Sequence, residues 1–425
     1  MRTRRAISCF ALLLAGAIIS AVQATFEETI RKLSSNNANE RFEAARLLKD
    51  AAYPEAALPL AQAVMDPDDA VQLEAIAAEL NIFLAEKVVT KKKVGLVVEV
   101  RNKIVAEAAF SAGPLAIGPR PVPKEVLAAL RSTMRDDNPR IGAEAMYAFG
   151  ALAFESGGRD RRELLGGSGP ELAAFIGSAD PVLRLGAIRV IGRLFAPRPQ
   201  DEPVDTTIGD AVIVALNETE KQLSAAAMQS LGALRYERGV QALTDLYQHY
   251  GQSDQGLAAL DALAHIAHVS SEPLFQAALS GKSSAAKAIA IDGLVRIGHR
   301  DRLADINAAV ASDRNEAVQF AGSFAAVRFN SLGIDPLIAA LKGKRRDQAR
   351  DYLVEVAAQG RRGEFSRFAQ DPDPRLRADV ADILGLAFDP AALPIVEPLM
   401  KDTDPQVILA AERAVARLQS VRRST

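Results

Sequence analysis

The sequence has no tryptophan and one cysteine, and aromatic residues make up only 5% of its 425 positions. A single cysteine excludes an internal disulfide, so the chain must fold by burying apolar side chains. Alanine dominates the apolar set, which favours closely packed helices over bulky β-sheet cores. A chain of this length exceeds one ordinary core and indicates several domains or a repeat array.

The N-terminal segment has the composition of a secretory signal peptide. "MRTRRAISCFALLLAGAIISAVQA" joins a basic start to an apolar core, with Val22 and Ala24 at positions −3 and −1 of a cleavage site. We therefore expect residues 1–24 to be removed and the mature chain to be periplasmic or secreted. An uncleaved anchor is the alternative, although the apolar run is short for one. "TRRAIS" also fits a twin-arginine signal, so the export route stays open.

Cleavage would change the charge of the chain. It removes three arginines, so basic residues fall from 51 to 48 against 53 acidic ones and the net charge goes from −2 to −5. Such a chain has no global attraction to nucleic acid, and we expect no nucleic-acid partner. No later stretch of the sequence is long and apolar enough to span a membrane.

One sequence frame recurs along the chain. "DPDPRLRADVADILG" (371–385) contains Asp-Pro, an aliphatic residue two places after the proline and a small residue eleven places after it. Close copies are "NPRIGAEAMYAFG" (138–150), "DPVLRLGAIRVIG" (180–192) and "DPQVILAAERAVA" (404–416). With looser copies, the proline position recurs at 38, 69, 139, 181, 221, 253, 287, 316, 346, 374 and 405. This spacing is typical of a repeated pair of helices.

The apolar spacing inside each copy predicts the fold. Four residues of the 371–385 copy lie at i, i+4, i+7 and i+8, on one helical face: Leu376, Val380, Ile383 and Leu384. A second helical segment precedes each copy. Because one pair cannot bury both apolar faces, the pairs must stack. We predict an all-α, right-handed α-solenoid over residues 25–425, with about ten or eleven helix-turn-helix units.

The aspartates of the frame have a structural interpretation. Aspartate is suited to the N-cap and proline to the first helical position. The residues predicted to fill these roles, with their arginines, are Asp180, Pro181, Arg184, Asp373, Pro374, Arg377, Asp404 and Pro405. We expect Arg184 and Arg377 to pair with the aspartates one turn earlier. Asp379 and Asp382 fall off the stacking face, and we expect them to be solvated.

The motif D-P-x-x-R at 180–184 and 373–377, with the closing small residue, resembles the HEAT-like repeat family. The short type of this repeat is also found in the bilin-attachment lyases of phycobilisomes. The resemblance covers nearly the whole mature chain and implies a HEAT-like solenoid. It also implies an alternative function, a bilin-lyase-like or other enzyme-assisting protein. The signal peptide disfavours that alternative, since such lyases act on cytoplasmic-side antenna proteins.

Three long spacings mark insertions at 87–123, 155–170 and 196–209. Each follows the second helix of a unit, so we expect all three on one edge of the solenoid, as binding loops. "VGLVVEVR" in the first predicts a hairpin, with a degenerate repeat as the alternative, and "LLGGSGP" (164–170) predicts a loop. Basic residues on this edge are candidates for contact with an acidic partner or anionic polymer: Lys91, Lys92, Lys93, Arg101, Arg159, Arg161 and Arg162.

Candidate catalytic chemistry is scarce. Asp261, His265 and His268 share a helical stripe and offer zinc ligands, but cationic side chains also suit a helix end. Another basic cluster, expected to be solvated, is Lys342, Lys344, Arg345 and Arg346. The sequence has no G-x-S-x-G, H-E-x-x-H or P-loop motif. We therefore predict no catalytic residues, cofactor or metal, and a non-enzymatic scaffold that binds other proteins. A structural envelope component is a third hypothesis.

Overall fold

A computed structural model describes residues 25–85, 105–198 and 201–422. These residues are helices joined by short turns, and the β-structure among them is one bridge between Leu84 and Ile117. They form two compact units. Unit 1 comprises Met1–Ile117 with Val122–Leu152, and unit 2 comprises Gly118–Pro121 with Ala153–Thr425. Within the described ranges, none of the helices has the length and apolarity needed to cross a membrane.

Apart from α5, the described helices belong to successive pairs. In unit 1 they are α1 (25–32), α2 (Ala38–Ala51), α3 (Ala57–Ala63), α4 (Asp69–Phe83), α5 (Val105–Ser111), α6 (Lys124–Thr133) and α7 (Pro139–Leu152). In unit 2 they are α8 (Gly158–Ile176), α9 (Pro181–Leu194), α10 (Thr206–Val214), α11 (Lys221–Leu234), α12 (Val240–Tyr250), α13 (Asp254–Ile266), α14 (Glu272–Leu279), α15 (Ser284–Ile297), α16 (Leu303–Ser312), α17 (Glu316–Arg328), α18 (Asp335–Ala340), α19 (Arg346–Ala358), α20 (Pro374–Leu386), α21 (Leu393–Val396) and α22 (Pro405–Arg422). The second helices of the pairs are α2, α4, α7, α9, α11, α13, α15, α17, α19, α20 and α22. Two 3₁₀ turns within 361–370 precede α20 in place of a full first helix.

The second helices begin where the repeat frame places them. The exceptions are α13 and α15, which begin at Asp254 and Ser284 instead of 253 and 287. The predicted caps explain the agreement. Asp180, Asp373 and Asp404 each accept a hydrogen bond from the backbone N–H two residues later, at 2.8, 3.0 and 2.8 Å. Each is followed by the proline at the first helical position, so the start of the helix is determined locally.

Consecutive second helices pack against one another. In unit 1, α2 contacts α4, which contacts α7; in unit 2 the contacts run in order from α9 through to α22. The four residues predicted to form the stacking face, Leu376, Val380, Ile383 and Leu384, are all 5% exposed or less. The prediction of an all-α solenoid of stacked helix pairs is confirmed.

The small residue that closes the frame lies where neighbouring second helices cross. A Cβ atom added to Gly385 would lie 2.7 Å from both Cα and Cβ of Ala414 in the next second helix. A Cβ on Gly192 would lie 2.9 Å from Cα of Ser230 in the same way. These distances are shorter than van der Waals contact, so glycine is needed for the close approach of the two backbones.

The arginine of the D-P-x-x-R motif joins neighbouring helix pairs. Its predicted pairing with the aspartate of its own turn is wrong. Arg377 donates from Nε and Nη2 to the carboxylate of Asp402, at 2.7 Å each, and from Nη1 to the carbonyl of Asp371 at 2.8 Å. Asp373 instead accepts from the backbone of Arg375. The guanidinium fork binds a carboxylate best with two parallel bonds, and Asp402 in the next turn offers that geometry.

The same link recurs elsewhere in the chain. Arg184 lies 3.7 Å from Glu218 of the next unit rather than pairing with Asp180, so the prediction for Arg184 is also wrong. In unit 1, Arg41 donates to Asp66 at 2.6 and 2.8 Å. In each case the acceptor lies two residues before the N-cap of the following second helix. In these three repeats, a basic residue at the fourth helical position therefore links one helix pair to the next.

We expect Gly385→Ala to lower the free energy of unfolding by about 1–3 kcal/mol, because the new methyl group overlaps the backbone of α22. Gly166→Ala is the matched control, since Gly166 lies in α8 with no atom within 4 Å of an added Cβ. The control should gain up to about 1 kcal/mol from helix propensity. Urea unfolding followed by circular dichroism measures both, and equal effects would contradict the proposed role of the crossing.

Removing the Arg377–Asp402 link between neighbouring helix pairs should also destabilise the chain. Arg377 lowers the pKa of Asp402 to about 2 through its hydrogen bonds. This stabilisation is present above the unfolded pKa of aspartate, about 3.9, and is lost as the pH falls towards 2. We expect Arg377→Met to cost about 1–3 kcal/mol at neutral pH and less below pH 4. Arg375→Met, at an exposed neighbouring position, is the control. A cost for Arg377→Met that does not depend on pH would refute the ion-pair explanation.

Candidate binding surface

The basic residues predicted to contact a partner are only partly described by the structure. Four of them lie outside the described residues: Lys91, Lys92, Lys93 and Arg101. Arg159 and Arg162 are exposed on α8, where Arg159 pairs with Glu163 at 2.8 Å. These two residues are therefore accessible to a partner.

Arg161, between them, faces the protein interior. It is 2% exposed and donates to the carboxylate of Asp201 at 2.8 Å and to the carbonyl of Leu194 at 2.9 Å. Its guanidinium ties the connector after α9 to the helix α8. Because both acceptors are internal, Arg161 is unavailable to a partner.

The predicted insertion at 155–170 is not a loop on the edge. Its residues 158–170 belong to α8, which packs on α9 as the first helix of that pair and continues through Pro170. One glycine of this run serves packing, since a Cβ on Gly169 would lie 2.5 Å from Cδ1 of Ile208, whereas a Cβ on Gly166 would have no atom within 4 Å. The expectations of a glycine-rich loop at 164–170 and of a binding loop over 155–170 are therefore wrong. The suggested hairpin within 87–123 lies largely outside the described residues.

The histidine stripe does not assemble a metal site. His265 Nδ1 lies 2.9 Å from the carbonyl of Asp261 and 3.5 Å from its carboxylate. His268 caps the next short turn, where it accepts from the backbone N–H of Ser270 at 3.3 Å. In the part of the chain that the structure describes, no three His, Cys, Asp or Glu side chains are placed to hold a metal ion.

Asp379 and Asp382 are buried, and the expectation that they are solvated is wrong. They are 5% and 7% exposed. Asp382 accepts from Arg413 Nε and Nη2 at 2.9 and 2.7 Å, and Asp379 accepts from Arg346. Burial raises the pKa of both carboxyls, while the arginines act in the opposite direction. The face of α20 that looked polar in sequence packs against basic side chains of neighbouring helices.

The two ends of unit 2 meet. Arg417 in α22 donates to Glu155, before α8, at 2.7 and 3.0 Å. The guanidinium of Arg198 lies over the rings of Phe154 and Phe388, 5.0 and 4.1 Å from their centroids. The last pairs of unit 2 therefore contact its first pair, so the second helices of this unit surround a shared interior.

That interior contains polar contacts between α15 and α19, two second helices that are separated in the stack by α17. Arg296 in α15 donates to Glu355 in α19 at 2.8 Å, and Tyr352 donates to the carboxylate of Asp292 at 2.7 Å. The ring of Tyr352 stacks on Phe324 of the intervening helix α17, with centroids 4.0 Å apart. Burial raises the pKa of Asp292 to about 7 despite nearby Arg296. The second helices α15 and α19 thus contact each other although another second helix, α17, lies between them in the stack.

One arginine position recurs near the C-terminal end of the second helices. Four arginines lie twelve residues after the first residue of their second helices: Arg193, Arg296, Arg328 and Arg417. The last turn of α13 holds His265 at a similar level. This pattern is visible in the sequence once the repeats are aligned. It was missed because the D-P-x-x-R motif lies at the opposite end of the helix, at its N-terminus.

The candidate site is the set of polar contacts that joins α15 to α19, which we call the inner polar cluster and define by Asp292, Arg296, Tyr352 and Glu355. Asp351, an exposed neighbour on α19, has a carboxyl whose pKa is raised to about 6 by the surrounding protein.

Unit 1 holds a different unusual group. Glu79 in α4 is 0% exposed, and neither of its carboxyl oxygens has a hydrogen-bond partner among the described residues. Burial raises the pKa of Glu79 to about 9. Nothing in the sequence distinguishes this glutamate from exposed ones, because its environment is created by packing. Because Glu79 is fully buried in the packing of unit 1, we expect it to affect stability.

Comparison with known proteins finds only weak likenesses, all among solved structures. No protein-family model matches the chain, and no curated protein does. An engineered protein solved by a structural genomics consortium is 18% identical, with 93% of this chain and 98% of that chain covered and a TM-score of 0.43. A designed armadillo repeat protein in complex with the peptide (KR)4 is 13% identical over 64% of this chain and 98% of that one, with a TM-score of 0.37. Kap95p, solved with RanGDP, is 17% identical over 94% of this chain and 51% of that one, with a TM-score of 0.36. These low TM-scores mark weak likenesses, and the fold assignment rests on the helix contacts described above.

The buried Glu79 predicts a pH-dependent stability. Its folded pKa is raised above the ordinary value, so its contribution is fully present below about pH 4.5 and is lost as the pH rises towards 9. We expect Glu79→Gln to become more stable than the wild type by up to roughly 4 kcal/mol between pH 5 and pH 8. Glu125→Gln, an exposed position in α6, should show no such change. Parallel urea titrations of the two variants that stay together across this range would contradict the assignment.

Proposed function

We propose that this protein is a non-enzymatic scaffold that binds other proteins after export from the cytoplasm. The supporting observation is the stack of second helices in unit 2, which contact one another in order from α9 to α22. Stacked repeats commonly bind partners, because rigid neighbouring helices present several side chains at fixed spacing. The exposed Arg159 and Arg162 on α8 offer a second contact region in the same unit.

The proposed export rests on residues 1–24. Their basic start, apolar core and small residues at positions −3 and −1 are typical of a cleaved signal peptide. The mature chain would begin at Thr25, the first residue of α1. The periplasm or the extracellular space is then the place where partners are sought.

The motif shared with bilin-lyase-type repeats has a complete structural explanation. Asp373 caps a helix and Arg377 binds the next unit through Asp402. These contacts serve stacking, which any short helical repeat requires. They therefore support a repeat fold and do not favour a pigment-related activity.

Expression of the full chain with a C-terminal tag tests both parts of the proposal. We expect fractionation of the bacterial host to place the protein outside the cytoplasm, and mass spectrometry to find Thr25 as its first residue. Ala24→Leu should block cleavage, because position −1 requires a small residue. Mixed with an extract of the non-cytoplasmic compartment of the source organism, the mature protein should co-elute with a partner in stoichiometric amount on size exclusion. A cytoplasmic, uncleaved product would refute the export, and elution without any partner would refute the scaffold.

A further inference from the structure

A groove lies between the first helices α1 and α3, at the start of unit 1. Its volume is about 340 Å³, and its apolar lining comes from Ile30 and Leu33 on one side and from Leu58, Pro59 and Ala63 on the other. Leu33 and Ala63 are buried, whereas Leu58 is 52% exposed. The groove therefore has an apolar base and is open to solvent.

Large apolar side chains are exposed beside this groove. Leu58 and Met65, seven residues apart on α3 and the turn that follows it, are each 52% exposed. Tyr53, before α3, is 46% exposed, and its ring meets that of Phe26 in α1 edge-on, with centroids 5.7 Å apart. Among the described residues, three of the eleven exposed large apolar side chains thus lie within 53–65. Such a cluster is typical of an interaction surface.

The charge beside the groove changes sign along α1. Glu27 and Glu28 lie in its first half and Arg31 and Lys32 at its end, and all four side chains are exposed. Glu28 and Lys32 pair at 3.0 Å but stay 58% and 50% exposed. An ion pair this exposed contributes little, so it can be exchanged for a contact with another molecule.

A second copy of the chain matches this pattern. A two-fold dimer uses the same patch on both subunits, so the patch must be complementary to itself. Two α1 helices lying antiparallel across the axis would bring Glu27 of each copy to Arg31 of the other. A partner with charge of one sign would instead meet repulsion at one end of α1. The first helix pair, residues 25–53, holds five acidic and five basic residues, so its copies meet without net repulsion.

We propose that the mature chain forms a two-fold dimer in which the α1–α3 grooves of two copies face each other and the α1 helices run antiparallel. The inference goes beyond the scaffold function. It rests on the proposed cleavage, because α1 begins the chain only after residues 1–24 are removed. A dimer carries each binding region twice, which increases its avidity for a partner with repeated sites.

Sedimentation velocity of the chain 25–425 over a range of concentrations tests the dimer. We expect a species of twice the mass of the chain. Leu58→Glu should weaken the association at least about a hundredfold, because two apolar contacts are lost and two charges are buried in their place. Val214→Glu is the matched control, since Val214 ends the first helix α10 in unit 2 and is 68% exposed. It should associate as the wild type does, and circular dichroism checks that both variants are folded.

Charge reversal tests the antiparallel arrangement. Arg31→Glu and Glu27→Arg should each weaken self-association about tenfold, because like charges then meet at two symmetric contacts. An equimolar mixture of the two variants should associate as the wild type does, since opposite charges face each other again at both contacts. An effect confined to α1 itself would not be restored in this way, because neither chain regains its own charge pattern.

Four outcomes would overturn the inference. They are a wild type that stays monomeric at the highest concentration, wild-type association in Leu58→Glu, an equal loss in Val214→Glu, or a mixture of charge variants that stays dissociated. The capture experiment is separate from these. A monomer that co-elutes with a partner leaves the scaffold function standing, and a dimer that captures no partner leaves the dimer standing.

Discussion

The close crossing of consecutive second helices is the contact on which the rest of the structure depends. One pair of short helices cannot bury its apolar faces alone, so each pair is stable only against its neighbours. Glycine at the crossing allows the backbones to approach, as at Gly385 against Ala414. Arg377 and its equivalents then join the helix ends through the next turn. Packing and polar links thus act between the same two helices.

In unit 2 this stacking produces an interior that holds charge. Contacts between α15 and α19, and between Arg417 and Glu155, bring together helices that are distant in sequence. Charged groups in such a place need partners, because burial strongly disfavours an isolated ion. Most are paired internally, as Asp382 is with Arg413. Arg328, whose Nε is buried without an acceptor, is one of the exceptions among the described residues.

The accuracy of sequence-based prediction differs from one feature to the next for physical reasons. Helix starts were predicted well because an N-cap aspartate followed by proline acts within one turn. The helix over Gly158–Ile176 was missed because its glycines resemble a flexible loop, whereas Gly169 serves a helix contact. Asp379 and Asp382 were placed in solvent because helical periodicity identifies the most apolar face and does not reveal what packs on the other faces.

The sequence by itself determined the repeat, the caps and the stacking face, since these depend on residues within about eleven positions of one another. Tertiary structure decided which charges are paired and which are not. Arg377 has two candidate carboxylates in sequence, and only the position of the next unit selects Asp402 over Asp373. Arg159 and Arg161 are arginines of the same helix, two residues apart. Arg161 binds Asp201 in the core, whereas Arg159 faces solvent. The inner polar cluster follows the same rule, because Arg296 binds Glu355 and Tyr352 binds Asp292 only where α15 and α19, which are far apart in sequence, approach each other.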